Sequence, residues 1–244
     1  MFLLLHGALG DRSTLAPLRD ALAARGETAI EVLEFEGHGA SAPATRPLRL
    51  DHFVSQTLDW LDAHGPAHLV GYSMGGYVAL VAAARAPERV RSVFTLGTKL
   101  EWSPEVAAGA AAQLDPDVMR AKVPAYAAEL ATRHGETRWV DVVRGTADAL
   151  RALGETPLLD DQALAAIRCP VRVTLGDRDR TVALDELRGL MARVPTASAC
   201  VWPDTPHPLD RAPLPLIADA IRAFRSGCRD DAPNPGPDAP RARD

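Results

Sequence analysis

Cysteine is scarce in this 244-residue chain: Cys169, Cys200 and Cys228 are odd in number and widely spaced. Such spacing provides neither a disulfide framework nor a thiolate metal site, and a reducing, cytoplasmic setting is the expectation. Long apolar runs are missing as well. Met1-Phe2-Leu3-Leu4-Leu5 has no basic residues ahead of it and runs straight into His6-Gly7, so it reads as a buried strand rather than a signal peptide. No stretch approaches the roughly 20 apolar residues of a membrane span. There is no basic excess either: 27 Lys and Arg against 32 Asp and Glu give a net charge of −5, which points away from nucleic acid and anionic membrane surfaces. Internal repeats are absent. What remains is a chain long enough to bury a core without metal or disulfide staples, with a small-molecule substrate as its expected partner. No cofactor or metal is implied, and the oligomeric state leaves no signal.

What the chain does contain is organised around Leu69-Val70-Gly71-Tyr72-Ser73-Met74-Gly75-Gly76. An apolar run from Ala67 stops at a glycine, one serine follows, and two glycines open a small-residue helical run from Tyr77 to Ala84. In that strand, turn, helix context the flanking glycines leave room for a cramped backbone that pushes a serine hydroxyl into the open. Ser73 is therefore the candidate nucleophile, the alternative being a glycine-rich turn with a spectator serine.

The flanking pattern alternates strands and helices. Phe2–Leu5 is a strand, Leu15, Leu18 and Leu22 recur at helical spacing behind Ser13 as N-cap, and Thr28–Leu33 is the next strand. Asp51 is expected to cap a helix carrying Phe53, Val54, Leu58 and Leu61. Val90–Leu96, Val171–Gly176 and a strand near Ala199–Trp202 complete a predicted parallel sheet with helices on both faces; the last two helices are expected near Leu184–Met191 and Leu214–Phe224. Between about Lys99 and Ile167 the chain is alanine-rich, helical and broken by prolines. The expected division is a core of residues 1–98 and 168–225, a helical cap over 99–167, and a disordered, proline- and charge-rich tail over 226–244.

Five motifs lie just beyond predicted strands, in the order His6-Gly7, Gly37-His38-Gly39-Ala40-Ser41, Gly71-Tyr72-Ser73-Met74-Gly75, Gly176-Asp177-Arg178-Asp179 and Thr205-Pro206-His207-Pro208. On these the chain resembles the α/β-hydrolase superfamily over roughly residues 2–225. The resemblance implies an α/β-hydrolase fold, a mostly parallel sheet of about six strands with a helical cap insertion. It also implies a serine hydrolase working through an acyl-enzyme on a carboxylic ester or thioester. A serine needs a base, and the base needs an orienting acid. Of seven histidines, His207 alone follows the last predicted strand and precedes the terminal helix. The acid is Asp177 or Asp179, and the family's G-x-x-D pattern places it at Asp179. The resemblance assigns the oxyanion donors to the amides of Met74 and Ala8, with Leu9 as neighbouring competitor, and gives His6 and His38 loop-tying roles. His52, His64, His68 and His134 carry no motif and are expected at the surface or in loops.

Relatives usually begin with a β-hairpin ahead of the His-Gly strand, so either the sheet is shortened or the recorded start lies downstream of the true one. The short start and the loop His6–Asp11 are also similar to menaquinone-pathway lyases with a Ser-His-Asp triad, which carry an arginine after the elbow glycines where this chain has Tyr77. Leu9, Tyr72, Lys99 and Trp102 are candidate substrate contacts. For Trp102 the alternative is packing, and for Lys99 solvation. Apolar faces near Tyr126–Leu130 and Trp139–Leu150 are expected over the pocket and suit a small or medium acyl ester. A triad lyase or carbon–carbon hydrolase on an acidic molecule, and a non-catalytic small-molecule receptor, are the competing functions.

Overall fold

The computed structural model describes residues 1–228. Its strands are β1 (Phe2–Leu5), β2 (Ile30–Leu33), β3 (Ala67–Tyr72), β4 (Val90–Leu96), β5 (Val171–Gly176) and β6 (Ala197–Trp202). They form a six-stranded sheet in the order β2-β1-β3-β4-β5-β6 with every pairing parallel. Helices α1 (Arg12–Ala23) and α10 (Leu214–Gly227) cover one face; α2 (Leu50–His64), α3 (Met74–Arg85) and α9 (Leu184–Arg193) cover the other.

The period-2 geometry of a strand explains the two cores. In β1, Leu3 and Leu5 join the α2/α3/α9 side, while Phe2 and Leu4 join the α1/α10 side with Leu15, Leu18, Leu22, Ile217 and Ile221. Helix α3 is buried from Met74 through Ala83, and its small residues let it lie close to the sheet, packed against α2.

Between β4 and β5 stand α4 (Pro104–Ala111), α5 (Pro116–Lys122), α6 (Pro124–His134), α7 (Arg138–Glu155) and α8 (Asp161–Ala166). The apolar faces of α5, α6 and α7 close on one another and on Leu9, through Met119, Leu130, Trp139, Val142 and Val143. No helix among the described residues is long and apolar enough to cross a membrane.

Several expected details change. Helix α1 is capped by Asp11, not Ser13: its carboxylate accepts from the Thr14 amide while Thr14 Oγ1 accepts from the Asp11 amide. Asp51 lies inside α2, whose N-cap position is Arg49. Ser226 and Gly227 belong to α10, so the expected tail boundary moves, and its remainder from 229 onward lies outside the described residues.

The largest correction concerns histidines. His68 and His134, expected at the surface or in loops, lie in β3 and α6 and are buried, as are His6 and His38. His68 sits in β3 against Ser92 Oγ. His6, His38 and His134 form a ring cluster with centroid separations of 5.1 and 5.7 Å. Desolvation lowers the pKa of all three, His6 to about 4. An unfolded histidine titrates near 6.5, so the unfolded chain gains protons that the native cluster refuses. Their contribution to stability is therefore complete above about pH 6.5 and is lost as pH falls toward 4, on the order of 3 kcal/mol for His6 alone. The urea midpoint should fall clearly between pH 7 and pH 5; an unchanged midpoint would contradict neutral burial of the cluster.

Candidate active site

The turn after β3 is built by exclusion. A Cβ on Gly71 would run into the backbone of Gly75 and Gly76, and one on Gly75 would run into the carbonyls of Leu5 and His6. Only glycine lets the start of α3 press against the ends of β1 and β3. Ser73, between them, is held at φ 51°, ψ −118°, a conformation that costs a non-glycine residue about 1–3 kcal/mol. Its backbone is secured on both sides: its amide donates to the Leu96 carbonyl at 2.8 Å and its carbonyl accepts from Thr98 Oγ1 at 3.0 Å.

Three strand ends then converge. Asp179 lies three residues past the end of β5 and His207 five past β6. His207 Nδ1 is 2.7 Å from Asp179 Oδ2, and His207 Nε2 is 3.2 Å from Ser73 Oγ. The Asp179 side chain is only 1% exposed, against 21% for His207. Its other oxygen accepts from the amides of Thr181 (2.7 Å) and Val182 (3.1 Å). Burial would raise the Asp179 pKa; the hydrogen bond and charge of His207 and the two amides outweigh it, and the carboxylate stays below its ordinary range. An ionised Asp179 fixes the proton of His207 on Nδ1 and leaves Nε2 free to accept from Ser73.

Asp177, the other candidate acid, instead accepts from the Thr205 amide at 3.3 Å and has a partly exposed side chain beside Arg178. That arrangement braces the loop before His207.

The Gly7–Gly10 turn passes beside the serine: a Cβ on Gly7 would lie 3.2 Å from Ser73 Cβ. Ala8 and Met74 thus flank Ser73 from the two loops that meet there, and no hydrogen bond of either amide to a described residue is found.

Of the four expected substrate contacts, two are hydrogen-bonded or ion-paired within the protein and two are packed, the indole N–H of Trp102 having no hydrogen-bond partner among the described residues. Tyr72 Oη donates to the His207 carbonyl at 3.2 Å, bracing the histidine loop. Lys99 pairs with Glu186 at 3.0 Å. Trp102 packs on the larger core. Leu9 is buried against α5, α6 and α7, with φ 58°. Glu186 had no sequence signal: 4% exposed, it also accepts from the amides of Leu100 and Glu101 and so ties the segment after β4 to α9.

An open cleft of about 850 Å³ lies between the start of α1 and the end of α6, lined by Arg12, Glu34, Arg133, His134 and Arg138 among others. It does not include Ser73. A second space of about 20 Å³ runs behind His207 and Asp179. Among the described residues no group of three or more His, Cys, Asp or Glu is placed to hold a metal ion.

The glycine contacts give a direct stability test. Gly75→Ala should cost about 3 kcal/mol or more by overpacking. Gly109→Ala, in α4 with open space around its Cβ, should be neutral or slightly stabilising. Urea unfolding of the two variants checks this, and equal midpoints would contradict the account of the elbow.

The family model described as the alpha/beta hydrolase family matches residues 2–222. The dihydrolipoyllysine-residue acetyltransferase component of the acetoin cleaving system of Pseudomonas putida is 43% identical over 37% of this chain, which spans only 24% of that protein's length. A pimeloyl-[acyl-carrier protein] methyl ester esterase of Xanthomonas campestris pv. campestris is 28% identical, covering 91% of this chain and 93% of its own. In three dimensions the chain is similar to NosK from Streptomyces actuosus, with a TM-score of 0.80 and 24% identity over 94% of this chain and 98% of that one.

Proposed function

The chain belongs to the alpha/beta hydrolase family, and we propose that it is a serine hydrolase cleaving a small or medium carboxylic ester or thioester through an acyl-enzyme on Ser73. The observation that carries this reading is the continuous hydrogen-bonded line from Asp179 through His207 to Ser73 Oγ, placed on a strained elbow.

In this mechanism Ser73 Oγ attacks the substrate carbonyl carbon as His207 Nε2 takes its proton, and Asp179 stabilises the imidazolium. The oxyanion of the tetrahedral intermediate accepts hydrogen bonds from the amides of Ala8 and Met74, which need no reorganisation at that moment. Collapse expels the alcohol or thiol, which leaves with the proton from His207. Water, deprotonated by the same nitrogen, then attacks the acyl carbon, releases the acid and restores Ser73. The helical segment 99–167 serves as a cap that sets which acyl group fits. The relative from Xanthomonas, a methyl ester esterase, supports ester chemistry.

The lyase alternative needs Lys99 and arginines of the helical segment to hold an acidic substrate, and the first of these contacts is weakened. Lys99 is already neutralised by Glu186. Tyr77, at the position after the elbow glycines, is buried with its hydroxyl accepting from the Leu158 and Leu159 amides.

Turnover of short-chain p-nitrophenyl esters tests the assignment. Ser73→Ala and His207→Ala should each lower kcat by about 10⁴-fold or more. Asp179→Asn should approach that loss, because the histidine then adopts the wrong tautomer, whereas Asp177→Asn should stay within about threefold of wild type. A larger loss in Asp177→Asn than in Asp179→Asn would move the acid, and full activity in Ser73→Ala would remove the hydrolase reading.

A further inference from the structure

The Gly7–Gly10 turn is held from two sides by imidazoles. Gly10 N–H donates to the Gly7 carbonyl at 3.0 Å, closing a four-residue turn with Ala8 and Leu9 at its centre. His6 Nε2 accepts from the Phe35 amide at 3.1 Å, so the ring's proton is on Nδ1, which donates to the Gly7 carbonyl at 2.8 Å. His134 mirrors this arrangement. Its Nδ1 accepts from the Gly39 amide at 2.9 Å, which fixes its proton on Nε2, and Nε2 donates to the Leu9 carbonyl at 3.0 Å. Arg133 Nη1 donates to the same carbonyl at 2.9 Å.

Leu9 needs that hold. At φ 58° it occupies a region a leucine avoids, so something outside the turn has to over-determine it. Its side chain is also gripped, by Met119, Leu130, Trp139 and neighbours from α5, α6 and α7. The only polar contacts to its carbonyl in the described residues come from the last turn of α6. His6 belongs to the strand end itself; His134 and Arg133 lie more than a hundred residues away, on the helical insertion.

We propose that His134, assisted by Arg133, is a positioning residue: by fixing the Leu9 carbonyl it holds the Gly7–Gly10 turn, and with it the Ala8 amide, in register with Ser73. This rests on the hydrolase reading for the role of the Ala8 amide, but the mechanical claim stands on the hydrogen bonds alone. The insertion then supplies part of the oxyanion geometry as well as a covering surface, so that displacement of α6 would release the turn.

Two near-isosteric variants separate the ring's functions. His134→Gln keeps a donor where Nε2 stood, and His134→Asn keeps an acceptor where Nδ1 stood. Glu129→Gln, exposed on α6, is the control. Amide hydrogen exchange over residues 7–10 and steady-state ester kinetics are read on the same preparations, with the melting temperature as a check on folding. His134→Asn should speed exchange in the turn about 10-fold or more and lower kcat about 10-fold with KM within twofold, a fraction of what loss of an oxyanion donor costs. His134→Gln should retain most of both, and Glu129→Gln should match wild type. Wild-type exchange in His134→Asn would overturn the proposal, as would equal losses in the Gln and Asn variants that track melting temperature. Exchange does not require turnover: a wild type lacking Ser73-dependent activity would sink the hydrolase reading while the contrast between variants still decides whether His134 holds the turn.

Discussion

Everything at the candidate site depends on how closely α3 approaches the end of β1. The carbonyls of Leu5 and His6 sit where a side chain on Gly75 would be, and the backbone of Gly75 and Gly76 sits where one on Gly71 would be. That contact forces Ser73 into a positive-φ backbone and turns its hydroxyl toward His207 rather than into the sheet. It also places the Gly7–Gly10 turn against Ser73, so one steric constraint positions both the nucleophile and the loop expected to receive the oxyanion. The strain is tolerated because hydrogen bonds to Leu96 and Thr98 lock the Ser73 peptide units from the β4 side.

A second layer of polar contacts, none facing the nucleophile directly, keeps the surrounding loops in place. Tyr72 anchors the His207 loop, Asp177 braces the turn before it, Glu186 gathers the segment after β4, and Tyr77 receives the chain as it returns from the insertion. Each uses one buried or half-buried side chain to satisfy backbone groups that a loop would otherwise leave unpaired. The three-histidine cluster does the same for the β1 and β2 loop ends, and desolvation by burial keeps its members neutral.

Much of this was legible in the sequence, for a physical reason. Strand periodicity and the strand-to-helix turns are local, so the six strands and the positions of Ser73, Asp179 and His207 beyond their strand ends follow from short stretches. The G-x-x-D spacing chose Asp179 over Asp177; in the structure Asp179 lies 2.7 Å from His207 Nδ1, while Asp177 accepts from the Thr205 amide. What failed were contacts between residues far apart in the chain. His134 meets Leu9 across 125 positions and Glu186 meets Leu100 across 86; neither carries a motif or a periodic signal. Both cap positions shifted by two residues; at α1, Asp11 and Ser13 offer similar chemistry, and the structure uses Asp11, whose backbone is extended.

The central claim is that Ser73 is an activated nucleophile, and the most direct measurement is intact-protein mass after exposure to a fluorophosphonate. The wild type should gain one adduct, His207→Ala should gain it far more slowly, and Ser73→Ala should gain none. An adduct that persists in Ser73→Ala, or none on folded wild type, would contradict the claim.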